Sequence, residues 1–256
     1  MSSKIAIICE GEKTEPRLFD NIKENFFKGK QFTLICLPAA MNIHMLAKCI
    51  KDDGYLDIIE VIRERNKTAA KMLDGYTKDD FEGVYLFFDL DPQDIGNYSE
   101  ENLNMMLSVF DNETVNGKLY ISYPMVEAIR DLKFNDNCNR RCTHDICGGR
   151  HYKTVVSDMT EFTDFKSYDD NKWKPILQHA VKKANCIVFE DNLENCGKLY
   201  TIPDREVFIN RISQKEIYWA QQRKFISNGK VAILSSVPLF LLEYMKPNFW
   251  KSFVSK

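Results

Sequence analysis

The sequence contains no apolar run of the ~20 residues that a membrane-spanning helix needs. Its most apolar late stretch, Val231 to Tyr244, is broken by Ser235, Ser236 and Pro238, so no membrane contact is expected. It also lacks an excess of positive charge: 35 Lys and Arg stand against 37 Asp and Glu, a net charge of −2. Any contact with nucleic acid must therefore come from a local patch or through bound cations. No phosphate-binding P-loop, nucleophile elbow or dinucleotide fingerprint is present, so an ATP-driven mechanism would need a partner. Internal repeats, low-complexity tracts and long linkers are missing too. The eight cysteines lack the pattern of a secreted scaffold, and the first residues run straight into a strand pattern rather than a signal peptide. Reduced thiols in a cytoplasmic protein are the expectation.

What is there starts at Lys4. Ile5 to Cys9 is a continuous apolar run, the pattern of a strand buried on both faces. Glu10-Gly11 turns the chain. Thr14-Glu15-Pro16 reads as a helix start with Thr14 as N-cap, and Leu18, Phe19, Ile22 and Phe26 recur at helical spacing. Glu10 thus stands at the C-terminal end of a buried strand, where open α/β sheets place their ligands.

Further along, Gln31–Leu37 reads as a second buried strand, and helices are expected over 41–53 and 57–76. A third apolar run, Val84 to Asp91, ends in Asp89 and Asp91 and is stopped by Pro92. Ser99 caps a helix with Glu100 and Glu101 in its first turn. A short fourth strand, 118–122, precedes a helix opened by Pro124 and running to about Leu132. The alternation predicts a parallel, helix-covered sheet over residues 1–133. The remainder, 134–256, reads as an irregular insertion and a mainly helical region, with helices over 173–185 and 204–225 and, within the closing stretch 236–253, a helix around Leu239, Leu242 and Tyr244.

The chemistry lies in the acids. The i, i+2 spacing of Asp89 and Asp91 points both carboxylates the same way on an extended chain. If the first and third strands are neighbours, these two and Glu10 converge on one spot. Like charges so close repel, and a hard divalent cation such as Mg²⁺ relieves them. Such an ion polarises a phosphate and activates water. For each acid taken singly, a helix cap or a solvated turn is the alternative.

The combination of Glu-Gly after strand one and Asp-x-Asp after strand three resembles the TOPRIM fold of topoisomerases, primases and small nucleases. The resemblance covers roughly residues 1–133 and implies a Rossmann-like core there, to which the mainly helical remainder is a C-terminal elaboration. It implies Glu10, Asp89 and Asp91 as catalytic and metal-holding residues, with Mg²⁺ or Mn²⁺ as cofactor. The opening Glu10-Gly11-x-x-Thr14-Glu15-Pro16 is similar to that of RloB-like proteins and relatives of OLD-family nucleases, which act in prokaryotic defence against phage. Ser122-Tyr123-Pro124-Met125-Val126-Glu127 is similar to their Ser-Asn-Pro-x-x-Glu element, with Tyr123 in place of Asn. It makes Glu127 a further candidate metal ligand, against the alternative of a first-turn acid favouring the helix dipole.

The function implied is metal-dependent phosphodiester cleavage of DNA or RNA, tRNA included, with a homo-oligomer left open. A non-catalytic subunit acting with an ATPase partner and a primase-like nucleotidyl transferase are the alternatives. Lys13 and Arg17, at the helix end beside Glu10, are candidate phosphate contacts.

A second constellation, Cys138-x3-Cys142-x-His144-x2-Cys147-x3-His151, would allow a structural Zn²⁺ held by Cys138, Cys142, Cys147 and His151. Arg140 and Arg141 would then offer phosphate contacts. The competing reading is an irregular insertion with incidental cysteines. Cys9, Cys36, Cys49 and Cys186 read as small core residues. From Arg205 onward nine Lys and Arg face three Glu, with Tyr218, Trp219 and Phe225 interleaved. That end reads either as a phosphate-binding face or as a solvated face over packed aromatics.

Overall fold

The computed structural model describes residues 3–29, 32–52, 57–90, 99–132, 143–146, 149–157, 162–189 and 202–255. It divides into two compact units, Met1–Tyr120 and Ile121–Lys256.

The first unit is built on a mostly parallel sheet. Strands β1 (Ser3–Cys9), β2 (Phe32–Pro38), β3 (Phe81–Asp89), β4 (Asp111–Asn112) and β5 (Gly117–Ser122) lie in the order β2-β1-β3-β5-β4. β1 is central and pairs in parallel with both β2 and β3. That placement accounts for its composition. Ile5 to Cys9 are all buried, because each face of a central strand is covered, and each of the three isoleucines contributes about 1.5–3 kcal/mol. The short β4 runs antiparallel to β5.

Helix α1 (Thr14–Ile22) buries Leu18, Phe19 and Ile22. Phe19 meets Phe87 of β3 with ring centroids 4.7 Å apart. Thr14 does not cap this helix, contrary to the sequence expectation. It is the first helical residue, Lys13 takes the cap position, and no side chain caps the end. Helices α2 (Ile43–Asp52) and α5 (Glu100–Val109) pack on each other, and Ser99 caps α5 as expected, accepting from Asn102 N.

The single helix expected over 57–76 is two, α3 (Ile58–Arg65) and α4 (Lys67–Met72). Asn66 breaks it. Its backbone is extended and its Oδ1 accepts from Thr68 N at 2.8 Å and Ala69 N at 3.1 Å. The side chain restarts the helix that the backbone has ended.

The second unit is mainly helical among its described residues. α7 (Asp170–Phe189) is its axis, with Trp173, Ile176, Leu177, Val181 and Ile187 buried. Packed on α7 are α9 (Gln214–Lys224), α10 (Val237–Tyr244) and α11 (Pro247–Phe253). A two-stranded antiparallel sheet joins β6 (Thr143–Asp145) to β7 (Lys230–Ala232), and α6 (Gly149–Ser157) follows β6.

Two helix expectations are corrected in this unit and one is met. Residues 124–132 form a short 3-10 turn, Val126–Arg130, since Tyr123 stays extended and exchanges both backbone hydrogen bonds with Leu234. Residues 204–225 split into α8 (Arg205–Arg211) and α9 at Ser213, whose hydroxyl accepts from Glu216 N. The helix expected around Leu239, Leu242 and Tyr244 is α10, and after Lys246, held extended by the following proline, the chain forms α11.

Gln221 shows how tightly α9 is held. It is fully buried, donates to Ala232 O at 2.7 Å and accepts from Ala232 N at 2.9 Å. Its amide serves β7 as a neighbouring strand would.

Candidate functional site

β1 and β3 are adjacent and parallel, so their C-terminal ends, Glu10 and Asp89, come together at one sheet edge. The contact is direct: the Glu10 carboxylate (Oε2) accepts from the backbone N–H of Asp89 at 3.0 Å, while Glu10 N donates to Phe87 O at 3.0 Å. The side chain is thereby held across the end of β3. Glu10 and Asp89 are both half-buried. Asp91, the third acid of the expected set, lies outside the described residues. Among the described residues no group of three or more His, Cys, Asp and Glu is arranged to hold a metal ion.

Gly11 and Glu15 set the turn that follows Glu10. The Glu15 carboxylate is buried and accepts from Gly11 N at 3.0 Å. A Cβ on Gly11 would lie 2.8 Å from Glu15 Oε2, so any side chain here would displace the Glu15 carboxylate. Glu12, next in the turn, accepts from Asn66 Nδ2 at 3.3 Å. Lys13 and Arg17 are exposed at the first turn of α1.

Two further residues were not singled out by sequence reasoning. His44 is fully buried on α2 and its Nε2 lies 3.3 Å from the carbonyl oxygen of Leu90, the residue between the two aspartates. The available signal was a lone histidine on the apolar face of Ile43, Leu46, Ala47 and Ile50. Asn66 was signalled only by being a cap-forming residue inside a helical pattern.

Beneath the acids, Cys9 Sγ and Cys36 Sγ lie 3.3 Å apart on neighbouring strands. Burial pushes the Cys9 thiol well up from its ordinary value, and Cys36, Glu15 and Asp89 push it further. It is a neutral thiol rather than a nucleophile. Cys36 and Cys49 are half-buried rather than in the core. Cys186 is buried but disulfide-bonded, which corrects the expectation of a reduced thiol there.

Glu127 belongs to the second unit. Its carboxylate is buried and pairs with Lys153 at 2.8 Å, and Tyr152, beside it, donates to Asp131 at 3.4 Å. Burial, Asp131 and Glu127 together hold the Tyr152 hydroxyl well above its ordinary value. Cys138, Arg140, Arg141, Cys142 and Cys147 lie outside the described residues, as does the side chain of His151 on α6.

The oxygens at the β1–β3 edge are carboxylates and backbone carbonyls, the donor set a hard divalent cation takes, usually with several waters retained. No family model, curated protein or solved structure matches this chain.

Proposed function

We propose that this protein is a TOPRIM-type, Mg²⁺- or Mn²⁺-dependent nuclease that hydrolyses phosphodiester bonds. One observation carries the reading: Glu10 and Asp89 stand together at the C-terminal ends of adjacent parallel strands, with the Glu10 carboxylate fixed on the Asp89 amide. Asp91 follows two residues on, and His44 fixes the carbonyl between the aspartates.

Glu10, Asp89 and Asp91 would hold the metal, which supplies Lewis-acid polarisation of the phosphate and a lowered water pKa. Glu10 would move the proton, as general base on the attacking water or general acid at the leaving oxygen. Lys13 and Arg17, exposed at the open end of α1, fit the charge of the scissile backbone. The setting in prokaryotic defence follows the resemblance of the opening motif.

The charge distribution suits this assignment. Residues 1–120 carry 14 Lys and Arg against 21 Asp and Glu, and residues 121–256 carry 21 against 16. An acidic catalytic unit needs cations to approach a phosphate, and a basic second unit can hold the rest of the polyanion.

The test is cleavage of DNA and RNA substrates by purified protein with Mg²⁺ or Mn²⁺, beside Glu10→Gln and Asp89→Asn. Metal-dependent cleavage lost in both variants is the expected result. Undiminished cleavage by either variant would remove the acidic pair from the mechanism. Incorporation of nucleoside triphosphates without cleavage would favour the nucleotidyl transferase.

A further inference from the structure

Ser235 stands between β7 and α10, with both of its neighbours in the chain pinned. Leu234 exchanges both backbone hydrogen bonds with Tyr123, at 2.8 Å each, and Ser236 N donates to the Ser122 hydroxyl at 3.2 Å. Ser235 itself is 4% exposed, and its Oγ has no hydrogen-bond partner among the described residues. A buried hydroxyl left in that state costs stability that an alanine would keep. The residue borders a cavity of about 10 Å³, the space of one water-sized sphere.

Another wall comes from α7. Ile176, His179, Ala180 and Lys183 line the cavity and lie at i, i+3, i+4 and i+7, one stripe of the helix. His179 and Lys183 are each 5% exposed. The field at this wall is positive: burial, Lys183 and Lys182 hold the His179 imidazole well below its ordinary pKa. Among the described residues that line the cavity none is acidic. The acids nearest in the chain, Glu127 and Asp131, are engaged by Lys153 and Tyr152. The rest of the described wall is apolar.

We infer that the cavity beside Ser235 binds one monatomic monovalent anion, a halide, held by the Lys183 ammonium, the Ser235 hydroxyl and an N–H of His179. The volume admits a single small sphere, which excludes phosphate, sulfate and organic ligands. Lysine offers three donors and no acceptor, and the serine hydroxyl hydrogen turns to suit its partner. The polar groups can therefore all donate to one centre. A cation is repelled by the ammonium. A water has two hydrogens to place in a largely apolar wall, whereas a halide only accepts, and it sets a negative charge against an ammonium held out of water. The ion would tie α7 to the chain between β7 and α10. This inference goes beyond the nuclease reading and does not depend on it.

The experiment is urea unfolding of the full chain while sodium chloride replaces sodium gluconate at constant ionic strength. All three tryptophans, Trp173, Trp219 and Trp250, belong to the second unit, so indole emission follows the part that holds the cavity. At about pH 8 His179 is neutral folded and unfolded, and its own titration does not intrude. Expected is a folding equilibrium constant that rises with chloride, by about tenfold for each tenfold increase once the site fills. Lys183→Met should abolish the rise. Ser235→Ala, which removes a hydroxyl bonded to no described residue, should move it to chloride concentrations about 10-fold higher or more. Crystals grown with bromide for chloride should show an anomalous peak between Lys183 Nζ and Ser235 Oγ.

Stability that does not respond to chloride overturns the inference. So does an undiminished response in either variant, and Ser235→Ala alone decides the matter if Lys183→Met fails to fold. A bromide peak without a chloride response in solution means an adventitious ion only, and overturns it equally. A cavity that holds water, or nothing, in the bromide crystals does the same.

Discussion

Replacing Gly11 by alanine probes the turn that holds Glu10 in place. The new Cβ would lie 2.8 Å from Glu15 Oε2 and 3.2 Å from Oε1, too close for the carboxylate to stay. The displaced group is the one accepting from Gly11 N at 3.0 Å, and Glu15 is only 5% exposed. A hydrogen bond to a charged acceptor contributes about 1.5–3 kcal/mol. Alanine recovers about 0.4–1 kcal/mol by restricting the unfolded chain. The net loss should be about 1–2 kcal/mol, or roughly 2–8 °C in Tm for a chain of this size.

The decisive assay is a double-mutant cycle by urea unfolding with Gly11→Ala, Glu15→Ala and both together. In the Glu15→Ala background the Cβ meets no carboxylate, so the second substitution should be neutral or slightly stabilising. A coupling of about 1.5–3 kcal/mol follows. Gly11→Ala costing the same in both backgrounds would refute the close-approach argument.

Two other outcomes are expected. Gln221→Leu keeps the volume but strips both Ala232 backbone groups of their partner, a loss of about 2–5 kcal/mol at roughly 1–3 kcal/mol per buried unpaired group, read from the urea midpoint; a loss below 1 kcal/mol would mean that β7 does not depend on the side chain. His179 lines a water-sized cavity of about 10 Å³ with Lys183 and Ser235, and burial, Lys183 and Lys182 hold its pKa well below the ordinary value. Below about pH 6.5 the unfolded state therefore binds a proton that the folded state does not. This penalty is absent above that pH and grows as pH falls toward the depressed folded value, so His179→Gln should flatten the fall in stability between neutral pH and pH 5, and an unaltered slope would contradict the assignment.

The α/β class and the mostly parallel sheet were legible in the sequence because the signals are local. A strand covered on both faces must be continuously apolar, as Ile5 to Cys9 is, and the crossovers between such strands are helices. The position of Glu10 at a strand end was legible for the same reason: the apolar run stops and Gly11 turns. Helix ends were less so. Asn66 and Ser213 end one helix and start the next through a single side-chain oxygen, a small energy beside the apolar periodicity that runs through both breaks.

Tertiary structure alone decided which strand ends are neighbours, and so that Glu10 meets the Asp89 amide. Periodicity gives an element's type and buried face but carries no strand order, which depends on packing between residues distant in sequence. The same holds for Glu15, whose carboxylate closes on Gly11, for His44 reaching Leu90 across 46 positions, and for Trp219. Tyr218 and Ala220, on either side of it in sequence, are buried, while Trp219 is 54% exposed, a difference set by the packing of α9.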